Sequence, residues 1–589
     1  MSAMSPAGRV ARLRAELSRL GVDGFVLPRG DEFLGEYVAP YAERLAWLTG
    51  FTGSAGLAIV LPDRAAVFSD GRYTVQLAEQ TDETIWERRH LIQSPPREWL
   101  KAHAQGARIG YDPRLVSEAG LDALTVPGVE MVPLAENPVD AVWDDRPAPP
   151  ASMVAAHPES LSGESSVSKR RRIAEILRAA HENAALIADT TALAWLLNIR
   201  GDDVPHIPVV LAFALLHDDA GVDLFLDEAR IPAATRAFLG DDIRLHPPAA
   251  LAAILAGLAG KTVRVDPNGG ALWFIRTLEA AGATVSRAAD PCALPKARKN
   301  AVEQDGARAV HLHDSAALCR FLHFVSLHGV GLGETALAER LDRFRALHPA
   351  YRGESFPAIS AVGPNAALPH YRAVPGQDRL LTPDTIYLID SGGQYPQGTT
   401  DVTRTIWTGP DPAPTMIREA YTRVLKGNIA LNRARFPSGA PGHRLDALAR
   451  QFLWQDGLDY DHGTGHGIGS YLSVHEGPQN ISSVARPVGL EPGMIVSDEP
   501  GYYEMGQYGI RLENLLLVRP APVGAPGRFL EFETLGHVPF DRNLIVTDLL
   551  QPDERAWLRA YHERTLEMIG PLLDDAARAW LEKACAPLG

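Results

Sequence analysis

A pattern that occurs twice in the first half of the chain places the strongest constraint on its fold. Each copy has a helical pattern, an apolar strand, a Leu-Ala-Trp-Leu sequence and a turn with glycine, over about 7–53 and 168–201. Helices that alternate with short apolar strands are typical of α/β domains. The shared tryptophans, Trp47 and Trp195, could be a coincidence. The matching order of all four features favours a duplicated α/β domain. The clearest predicted elements are helices over 7–20 and 168–182 and strands over 24–27 and 184–188.

At 589 residues the chain is too long for a single hydrophobic core. Proline-rich breaks at 146–150 and 291–295 suggest where it divides. The third region begins with a long helix over 296–328, continues with glycine-rich strands and ends with helical patterns over 553–585. We therefore predict three domains: an α/β domain at 1–155, a related α/β domain at 156–295 and an α+β domain at 296–589.

Composition excludes several classes of function. The formal net charge is −15, so nucleic acid and anionic membranes are not expected partners, since both attract basic surfaces. Cys292, Cys319 and Cys585 are far apart and lack a Cys-x-x-Cys spacing, which argues against a disulfide framework and a thiolate zinc site. We find no apolar stretch typical of a secretory signal or a transmembrane helix. The cytoplasm is therefore the expected location.

The residues that point to chemistry lie in four short segments of the third region. An apolar strand ends in Asp390, and after a turn-rich stretch a second strand begins with Asp401. This pattern predicts a hairpin that brings both carboxylates to one face. The third segment, 462–469, reads His-Gly-Thr-Gly-His-Gly-Ile-Gly, and its glycines allow a tight loop. In the fourth, Glu499 and Glu513 are predicted to lie on successive strands.

The four acids and the histidine are more informative together than singly. An acid in an apolar strand is costly unless its charge is compensated, and for any one residue an edge position or a hydrogen-bonded core acid is the commoner explanation. Together they favour a metal site, because two divalent cations would neutralise four carboxylates. Such an oxygen-rich site favours Mn²⁺, and Co²⁺ or Zn²⁺ could also occupy it. Two cations roughly 3.5–4 Å apart can clamp a displacement reaction, of which amide hydrolysis is a natural example.

The order Asp, Asp, His, Glu, Glu in these surroundings resembles the pita-bread metallopeptidases, which include methionine aminopeptidase, prolidase and aminopeptidase P. The most specific stretches are His462–Pro478 and Ser497–Glu504. Similar stretches occur across almost the whole chain, at Ser69–Tyr73, Arg200–His206, Phe356–Ser360 and Phe529–Leu535. The resemblance is closest to the cytosolic, three-domain type of X-prolyl aminopeptidase. It implies two creatinase-like α/β domains followed by a pita-bread catalytic domain.

The resemblance implies a ligand set for two metals. Asp401 and Glu513 would bridge the metals, Asp390 would complete one site, and His466 and Glu499 would complete the other. The implied reaction is hydrolysis of the bond between an N-terminal residue and a penultimate proline. A water between the metals would attack the carbonyl, with Glu499 as the preferred proton acceptor.

The resemblance also implies residues that contact the substrate. His370, His462 and His475 would line the site, with His370 and His475 donating hydrogen bonds to the tetrahedral intermediate or to the proline side. Arg72 would bind the peptide, if the first domain of the same or another subunit approaches the metals; a structural salt bridge is the alternative. Members of this family often dimerise, so a homodimer is expected.

Two arginines close to the bridging ligands have an implied supporting role. Arg404 and Arg511 lie two or three residues from Asp401 and Glu513 and are expected to orient those carboxylates. A plain surface ion pair is the alternative for Arg404.

Two other functions compete with the aminopeptidase. A prolidase has the same fold and metals but cleaves dipeptides that end in proline. The two extra N-terminal domains and the His-Gly-Thr-Gly-His-Gly sequence favour the aminopeptidase instead. A non-catalytic pita-bread protein that binds a partner or peptide would typically have lost metal ligands, whereas all five positions here are filled.

Overall fold

A computed structural model describes residues 4–588, which fall into two units. The first unit contains the residues up to His157 together with Glu164–Ala293, and the second contains Pro158–Gly163 and the residues from Leu294 onwards. The three-domain division at 155/156 and 295/296 stays a prediction.

The first part of the first unit is built on one mixed sheet. Its strands are β1 (Gly24–Pro28), β2 (Leu57–Val60), β3 (Ala65–Ser69), β4 (Glu87–His90), β5 (Arg108–Tyr111) and β6 (Glu130–Pro133). Its helices are α1 (Pro6–Arg19), α2 (Arg44–Thr49), α3 (Thr74–Gln80), α4 (Pro96–His103), α5 (Glu118–Leu124) and α6 (Pro138–Val142). The strand order is β4-β3-β2-β1-β5-β6. Strand β2 is antiparallel to both of its neighbours, and the other pairs are parallel.

Helix α1 shows how the sequence sets a helix boundary. It starts one residue before the predicted position because Ser5 caps it, accepting a hydrogen bond from the Gly8 amide, and Pro6 occupies the first helical position. Val10, Leu13 and Leu17 recur at helical spacing and are almost completely buried. Burial of each such side chain stabilises the fold by about 1.5–3 kcal/mol.

Most of the second part of the first unit follows the short helix α7 (Glu159–Ser162), which itself belongs to the second unit, and one two-residue strand precedes that helix. Its strands are β7 (Ala155–Ala156), β8 (Ala184–Ile187), β9 (Ile199–Arg200), β10 (Phe213–His217), β11 (Val222–Phe225), β12 (Ile243–His246), β13 (Thr262–Val265) and β14 (Thr284–Arg287). Its helices are α8 (Ser166–Ala179), α9 (Thr190–Leu197), α10 (Ala233–Leu239), α11 (Leu251–Ala256) and α12 (Leu272–Ala280).

The strand order of the second sheet confirms the predicted duplication. That order is β12-β11-β10-β8-β13-β14, and only the two strand pairs that involve β10 are antiparallel. Order and direction match the first sheet strand for strand. The two N-terminal α/β folds are therefore related, as the repeated sequence pattern predicts.

The two Leu-Ala-Trp-Leu sequences lie in equivalent short helices, α2 and α9. Each helix ends in a left-handed residue, Gly50 with a φ of 85° and Asn198 with a φ of 52°. The prediction of a glycine turn is therefore incomplete for the second copy, where Asn198 ends the helix. Asparagine adopts this conformation more readily than most other residues with a side chain.

From Ala293 onwards the chain forms the helices and strands that carry the predicted site. The helices are α13 (Ala293–Ala297), α14 (Ala301–His328), α15 (Glu334–Arg345), α16 (Thr415–Asn432), α17 (Asp446–Trp454), α18 (Pro552–Ile569) and α19 (Asp575–Ala584). The strands are β15 (Ile359–Val362), β16 (Ile386–Ser391), β17 (Gln394–Tyr395), β18 (Gly398–Thr399), β19 (Val402–Trp407), β20 (Arg435–Pro437), β21 (Gly465–Gly467), β22 (Glu476–Ile481), β23 (Ile495–Asp498), β24 (Gly501–Glu504), β25 (Tyr508–Arg511), β26 (Asn514–Pro520) and β27 (Phe529–Thr534).

Two sheets of this unit position the site. One has the order β15-β16-β19 and the other the order β20-β27-β26-β23-β21-β22. Strand β16 is buried on both faces, since Tyr387 and Ile389 pack with helices α14 and α15, whereas Ile386 and Leu388 belong to the core that includes α16. Because side chains alternate along a strand, Asp390 lies on the same face as Ile386 and Leu388. The predicted order of two α/β folds followed by an α+β region is confirmed by these sheets.

The predicted helix over 296–328 begins later than expected. Asn300 accepts hydrogen bonds from the Val302 and Glu303 amides, and the Glu303 carboxylate accepts one from the Asn300 amide. This capping box starts α14 at Ala301 and leaves α13 as a separate short helix. Within residues 4–588, the helices include none with the length and apolar character needed to span a membrane.

Candidate metal centre

Asp390 and Asp401 lie at the same end of the predicted hairpin. Strands β16 and β19 pair antiparallel, with Asp390 opposite Thr403, and Asp401 directly precedes β19. Both acids are almost completely buried, with exposed fractions of 7% and 4%. The hairpin prediction is therefore confirmed, and the two acids lie at one end of the hairpin.

Two glycines place His466 in the middle of strand β21. A Cβ atom at Gly465 would lie 2.0 Å from the Ser497 carbonyl oxygen, and one at Gly467 would lie 2.1 Å from the Glu476 carbonyl oxygen. Any other residue at either position would push β21 away from its neighbours. The His466 amide donates a hydrogen bond to Ser497 Oγ at 2.9 Å, which holds the ligand residue against β23.

Glu499 and Glu513 lie just outside strands rather than on successive strands as predicted. Glu499 follows the end of β23 and precedes Pro500, which lacks the N–H needed to continue a strand ladder. Glu513 lies in the break between β25 and β26. The Glu499 amide donates to the Thr464 carbonyl at 2.8 Å, and the Glu513 amide donates to the Thr403 carbonyl at 3.1 Å. These bonds tie both acids to the segments that carry the histidine and Asp401.

The predicted ligand side chains converge. One ligand atom from each of Asp401, His466 and Glu513 lies within 4.8 Å of the others. The His466 Nε2 atom is 3.6 Å from Asp401 Oδ2 and 3.4 Å from Glu499 Oε1. Asp390 connects to the same region through Arg511, which donates to its Oδ2 at 2.7 Å.

The geometry of the carboxylates fits bound cations. Asp390 Oδ1, Asp401 Oδ1 and Glu513 Oε1 are buried and have no hydrogen-bond partner among the described residues. Each unsatisfied buried acceptor costs about 1–3 kcal/mol, and more when it is charged. Divalent cations would satisfy these oxygens and neutralise their charge, so the residues present fit a two-metal site.

Burial and mutual repulsion perturb the acids strongly. Burial raises the pKa of Asp401 well above its ordinary value, and the nearby charges of Glu513 and Asp390 raise it further. Burial likewise raises the pKa of Glu513, with the charges of Glu499 and Asp390 adding to the effect. Burial raises the pKa of Glu499 to about 7, although the positive charge of Arg511 acts in the opposite direction. Such a cluster without cations holds protons that cations would displace.

Arg511 connects several parts of the site. Besides Asp390, it donates to Tyr503 Oη at 2.7 Å and to the Pro369 carbonyl at 3.1 Å. The contact with Asp390 orients a predicted ligand, but it is Asp390 rather than one of the bridging carboxylates named in the prediction. The contact with Pro369 brings the residue before His370 next to an arginine that holds a predicted metal ligand.

Arg404 takes neither of its two predicted roles. It is completely buried, so a surface ion pair is wrong. Its guanidinium donates to the main-chain carbonyl of Glu513 at 2.6 Å, to Asn514 Oδ1 at 2.8 Å and to Tyr561 Oη at 2.9 Å. Arg404 therefore holds the backbone at a predicted bridging ligand rather than a carboxylate.

The three predicted substrate histidines have different surroundings. The His475 ring packs edge-on against the His466 ring, with centroids 4.4 Å apart. His462 Nε2 lies 2.7 Å from Tyr503 Oη, so it joins the Arg511 network. His370 is half-buried in the turn after Pro369.

Arg72, the predicted peptide-binding residue, lies in the first unit. It donates to both carboxylate oxygens of Asp70, at 2.9 and 2.8 Å. The alternative of a structural salt bridge is therefore present, and the substrate role stays a prediction.

Two residues with clear contacts at the site were not singled out from the sequence. Thr403 Oγ1 donates to Glu513 Oε2 at 2.7 Å, and Tyr503 links His462 to Arg511. Thr403 lies between Asp401 and Arg404, and Tyr503 lies in the specific stretch Ser497–Glu504. Their positions next to named residues were the only available signal, since their partners are far away in sequence.

Comparisons with known proteins agree with this arrangement. The family model described as "Creatinase/Prolidase N-terminal domain" matches residues 9–142 and, in a second form, residues 145–303. The model for "Metallopeptidase family M24" matches residues 305–520, and that for the "C-terminal region of peptidase_M24" matches residues 528–588. Two tandem N-terminal matches correspond to the two related sheets.

Individual relatives match all or part of the chain. A probable Xaa-Pro aminopeptidase P from Aspergillus niger is 37% identical, with 100% of both chains covered. The crystal structure of X-prolyl aminopeptidase from Caenorhabditis elegans, described as a cytosolic enzyme with a di-nuclear active site, matches with a TM-score of 0.94 and 33% identity, covering 99% of this chain and 100% of that one. The dipeptidase PepE from Mycobacterium ulcerans matches over 65% of this chain and 98% of its own, with a TM-score of 0.51 and 25% identity. The chain therefore belongs to the Xaa-Pro aminopeptidase P family, within metallopeptidase family M24.

Proposed function

We propose that the chain is a dinuclear metalloaminopeptidase that removes the N-terminal residue from peptides whose second residue is proline. The observation that carries this proposal is the convergence of three buried acids, the half-buried Glu499 and His466 in a chain that is similar over its whole length to Xaa-Pro aminopeptidases. Three buried carboxylate oxygens without a hydrogen-bond partner support the metal part of the proposal.

The proposed ligands divide between two metals. Asp401 and Glu513 would be shared, Asp390 would complete one site, and His466 and Glu499 would complete the other. The donor set is rich in oxygen, which favours Mn²⁺, although Co²⁺ or Zn²⁺ could also bind. When bound, the two cations would acidify a water, polarise the substrate carbonyl and neutralise the cluster of carboxylates.

The protein's own residues would hold the substrate and move the proton. Glu499 is the proposed proton acceptor, and its Oε1 already receives a hydrogen bond from Ser497 Oγ at 3.1 Å. His475 and His370 would donate hydrogen bonds to the tetrahedral intermediate or to the proline side of the peptide, which stabilises developing charge. His462 would act through Tyr503 and Arg511, which hold Asp390 in place.

Arg72 is the proposed peptide-binding residue outside the catalytic unit. Its side chain is 24% exposed, which leaves room for a peptide contact while it pairs with Asp70. We also propose a homodimer in the cytoplasm. The description of the Caenorhabditis elegans relative as cytosolic supports the location.

The alternatives make different predictions for substrates. A prolidase would prefer an X-Pro dipeptide, and a non-catalytic binding protein would cleave nothing despite bound metals. The likeness to a dipeptidase covers only 65% of this chain, whereas the Xaa-Pro aminopeptidases match all of it. Full-length similarity therefore favours the aminopeptidase.

Mass spectrometry of the products tests the proposal. The Mn²⁺-loaded protein is incubated with Arg-Pro-Pro, Gly-Pro and Arg-Ala-Pro. Release of arginine from Arg-Pro-Pro, with little cleavage of the other two peptides, is the expected result. Preference for Gly-Pro would identify a prolidase, and no turnover with two metals bound would support a binding protein.

A further inference from the structure

A buried carboxylate directly next to His475 is contacted by two buried lysines. Glu476 is 7% exposed, and Lys296 and Lys299 are 3% exposed each. Lys299 Nζ donates to Glu476 Oε2 at 3.2 Å, and Lys296 Nζ forms an ion pair with Oε1 at 2.9 Å. Each carboxylate oxygen thus has an ammonium group within 3.2 Å, with a hydrogen bond at Oε2 and an ion pair at Oε1, and the two contacts restrict the position of the carboxylate.

The two lysines belong to a segment that is itself well anchored. Lys296 lies in α13, and Lys299 directly precedes Asn300, the residue that caps α14. Lys299 Nζ also donates to the Lys296 carbonyl at 3.0 Å, and the Lys299 amide donates to the Gly493 carbonyl at 3.0 Å. The ammonium of Lys299 is therefore held at a defined point.

Neighbouring backbone also restricts the main chain of Glu476. Glu476 opens β22 and lies opposite Gly467, where a Cβ atom would come within 2.1 Å of the Glu476 carbonyl oxygen. His475 is one peptide away, and its ring packs edge-on against that of His466. Because the connecting peptide is planar and sets a fixed Cα–Cα distance, an immobile Glu476 restricts where His475 can lie.

We propose that Lys299, together with Lys296, is a positioning residue for His475 and acts through Glu476. The inference rests on the proposed function, in which His475 donates a hydrogen bond to the tetrahedral intermediate. Stability alone does not explain the arrangement, because a buried ion pair is often no more stabilising than apolar side chains of similar volume. A carboxylate held from both oxygens instead gives a defined geometry, and a displacement of about 1 Å at a catalytic group can cost 10²-fold in rate.

Replacement of Lys299 by methionine tests the proposal. In Lys299→Met, Lys296 still pairs with Glu476, so the carboxylate keeps a cation and the variant is expected to fold. The kcat for Arg-Pro-Pro should fall by about 10- to 100-fold, while KM changes by less than about threefold and metal content is unchanged. Lys299→Arg, which keeps the charge, should recover most of the lost kcat.

A matched control is available in another buried lysine–glutamate pair of the same unit. Lys426 Nζ lies 2.5 Å from Glu554 Oε2, and both residues are at least nine-tenths buried. Lys426→Met should lower thermal stability and leave kcat within about twofold of the parent, since this pair holds no site residue. An equal loss of kcat in both variants would overturn the proposal, because it would mean that the loss of any buried lysine–glutamate pair lowers kcat.

Combination with a His475 variant separates positioning from a general structural role. His475→Ala alone should lower kcat by about 10²- to 10³-fold. In that background, Lys299→Met should cost less than about twofold more, because its effect requires the histidine. Additive losses would overturn the proposal, as would a kcat for Lys299→Met within about twofold of the parent.

A crystal structure of Lys299→Met provides a readout that needs no activity. The His475 ring should be displaced from its 4.4 Å contact with His466. An unchanged ring would overturn the positioning role. If the parent protein fails to cleave Arg-Pro-Pro, the proposed function fails, and the ring position still decides whether Lys299 positions His475.

Discussion

Removal of the metals should reverse the sign of the pH dependence of stability. In the metal-free protein, burial raises the pKa of Glu499 from an ordinary 4.5 to about 7, and the pKa values of Asp401 and Glu513 are raised as well. An acid whose pKa is raised by folding binds a proton more tightly in the folded state. Its stabilising contribution is complete below about pH 4.5 and is lost as the pH rises through about 7.

The size of the effect follows from Glu499 alone. A rise in pKa from 4.5 to about 7 corresponds to about 3 kcal/mol in the free energy of unfolding. The metal-free protein should therefore lose about this much stability between pH 4.5 and 7.5, with Asp401 and Glu513 adding to the loss. The metal-loaded protein should gain stability over the same range, because cations bind only ionised carboxylates.

Urea unfolding of the full chain, followed from pH 4.5 to 7.5 with and without metal, measures both slopes. Metal-free Glu499→Gln should lose the share of the slope that belongs to Glu499, since glutamine does not ionise. Glu567→Gln is the control, because the Glu567 side chain is 75% exposed and its removal should leave the slope unchanged. The difference in unfolding free energy between the metal-free parent and metal-free Glu499→Gln should fall as the pH rises. A difference that stays constant or rises with pH would refute the reasoning.

Three further predictions concern individual side chains. Asp401→Ala removes a shared ligand, so metal analysis should show loss of the metal pair and the peptide assay should show no turnover. Turnover by a fully metal-loaded Asp401→Ala variant would contradict the two-metal mechanism. Thr403→Val removes the hydrogen bond to Glu513, so competition with a chelator should show metal affinity lower by about 10-fold or more, and an unchanged affinity would count against this role. Arg72→Ala should raise KM for Arg-Pro-Pro by about 10-fold with little change in kcat, through loss of a charged hydrogen bond, and a KM within about twofold of the parent would leave Arg72 as a structural partner of Asp70.

The fold was predictable where local patterns determine it. The repeated Leu-Ala-Trp-Leu pattern predicted a duplicated domain, and the structure has two sheets with the same strand order. The apolar strand ending in Asp390 predicted the β16–β19 hairpin. Periodicity and turn residues act over a few positions, so they reveal such elements directly. Element ends were less predictable: Asn198 adopts the left-handed conformation usual for glycine, and the Asn300 capping box shortens α14.

The contacts that support the site depend on residues far apart in sequence. Thr403 and Glu513 are separated by 110 positions, and Lys299 and Glu476 by 177. No local pattern connects such pairs, because the connection arises only when the sheets assemble. The burial of Arg404 could not be predicted for the same reason, because its partners Glu513, Val538 and Tyr561 are far away in sequence.

The central claim is that five residues of the catalytic unit hold two metals. Crystals of the Mn²⁺-loaded protein, measured with anomalous scattering at the manganese edge, test it most directly. Two anomalous peaks roughly 3.5–4 Å apart are expected, with Asp401 and Glu513 contacting both. Asp390 should contact one peak, and His466 and Glu499 the other. A single peak, or peaks without contacts to these five side chains, would contradict the account.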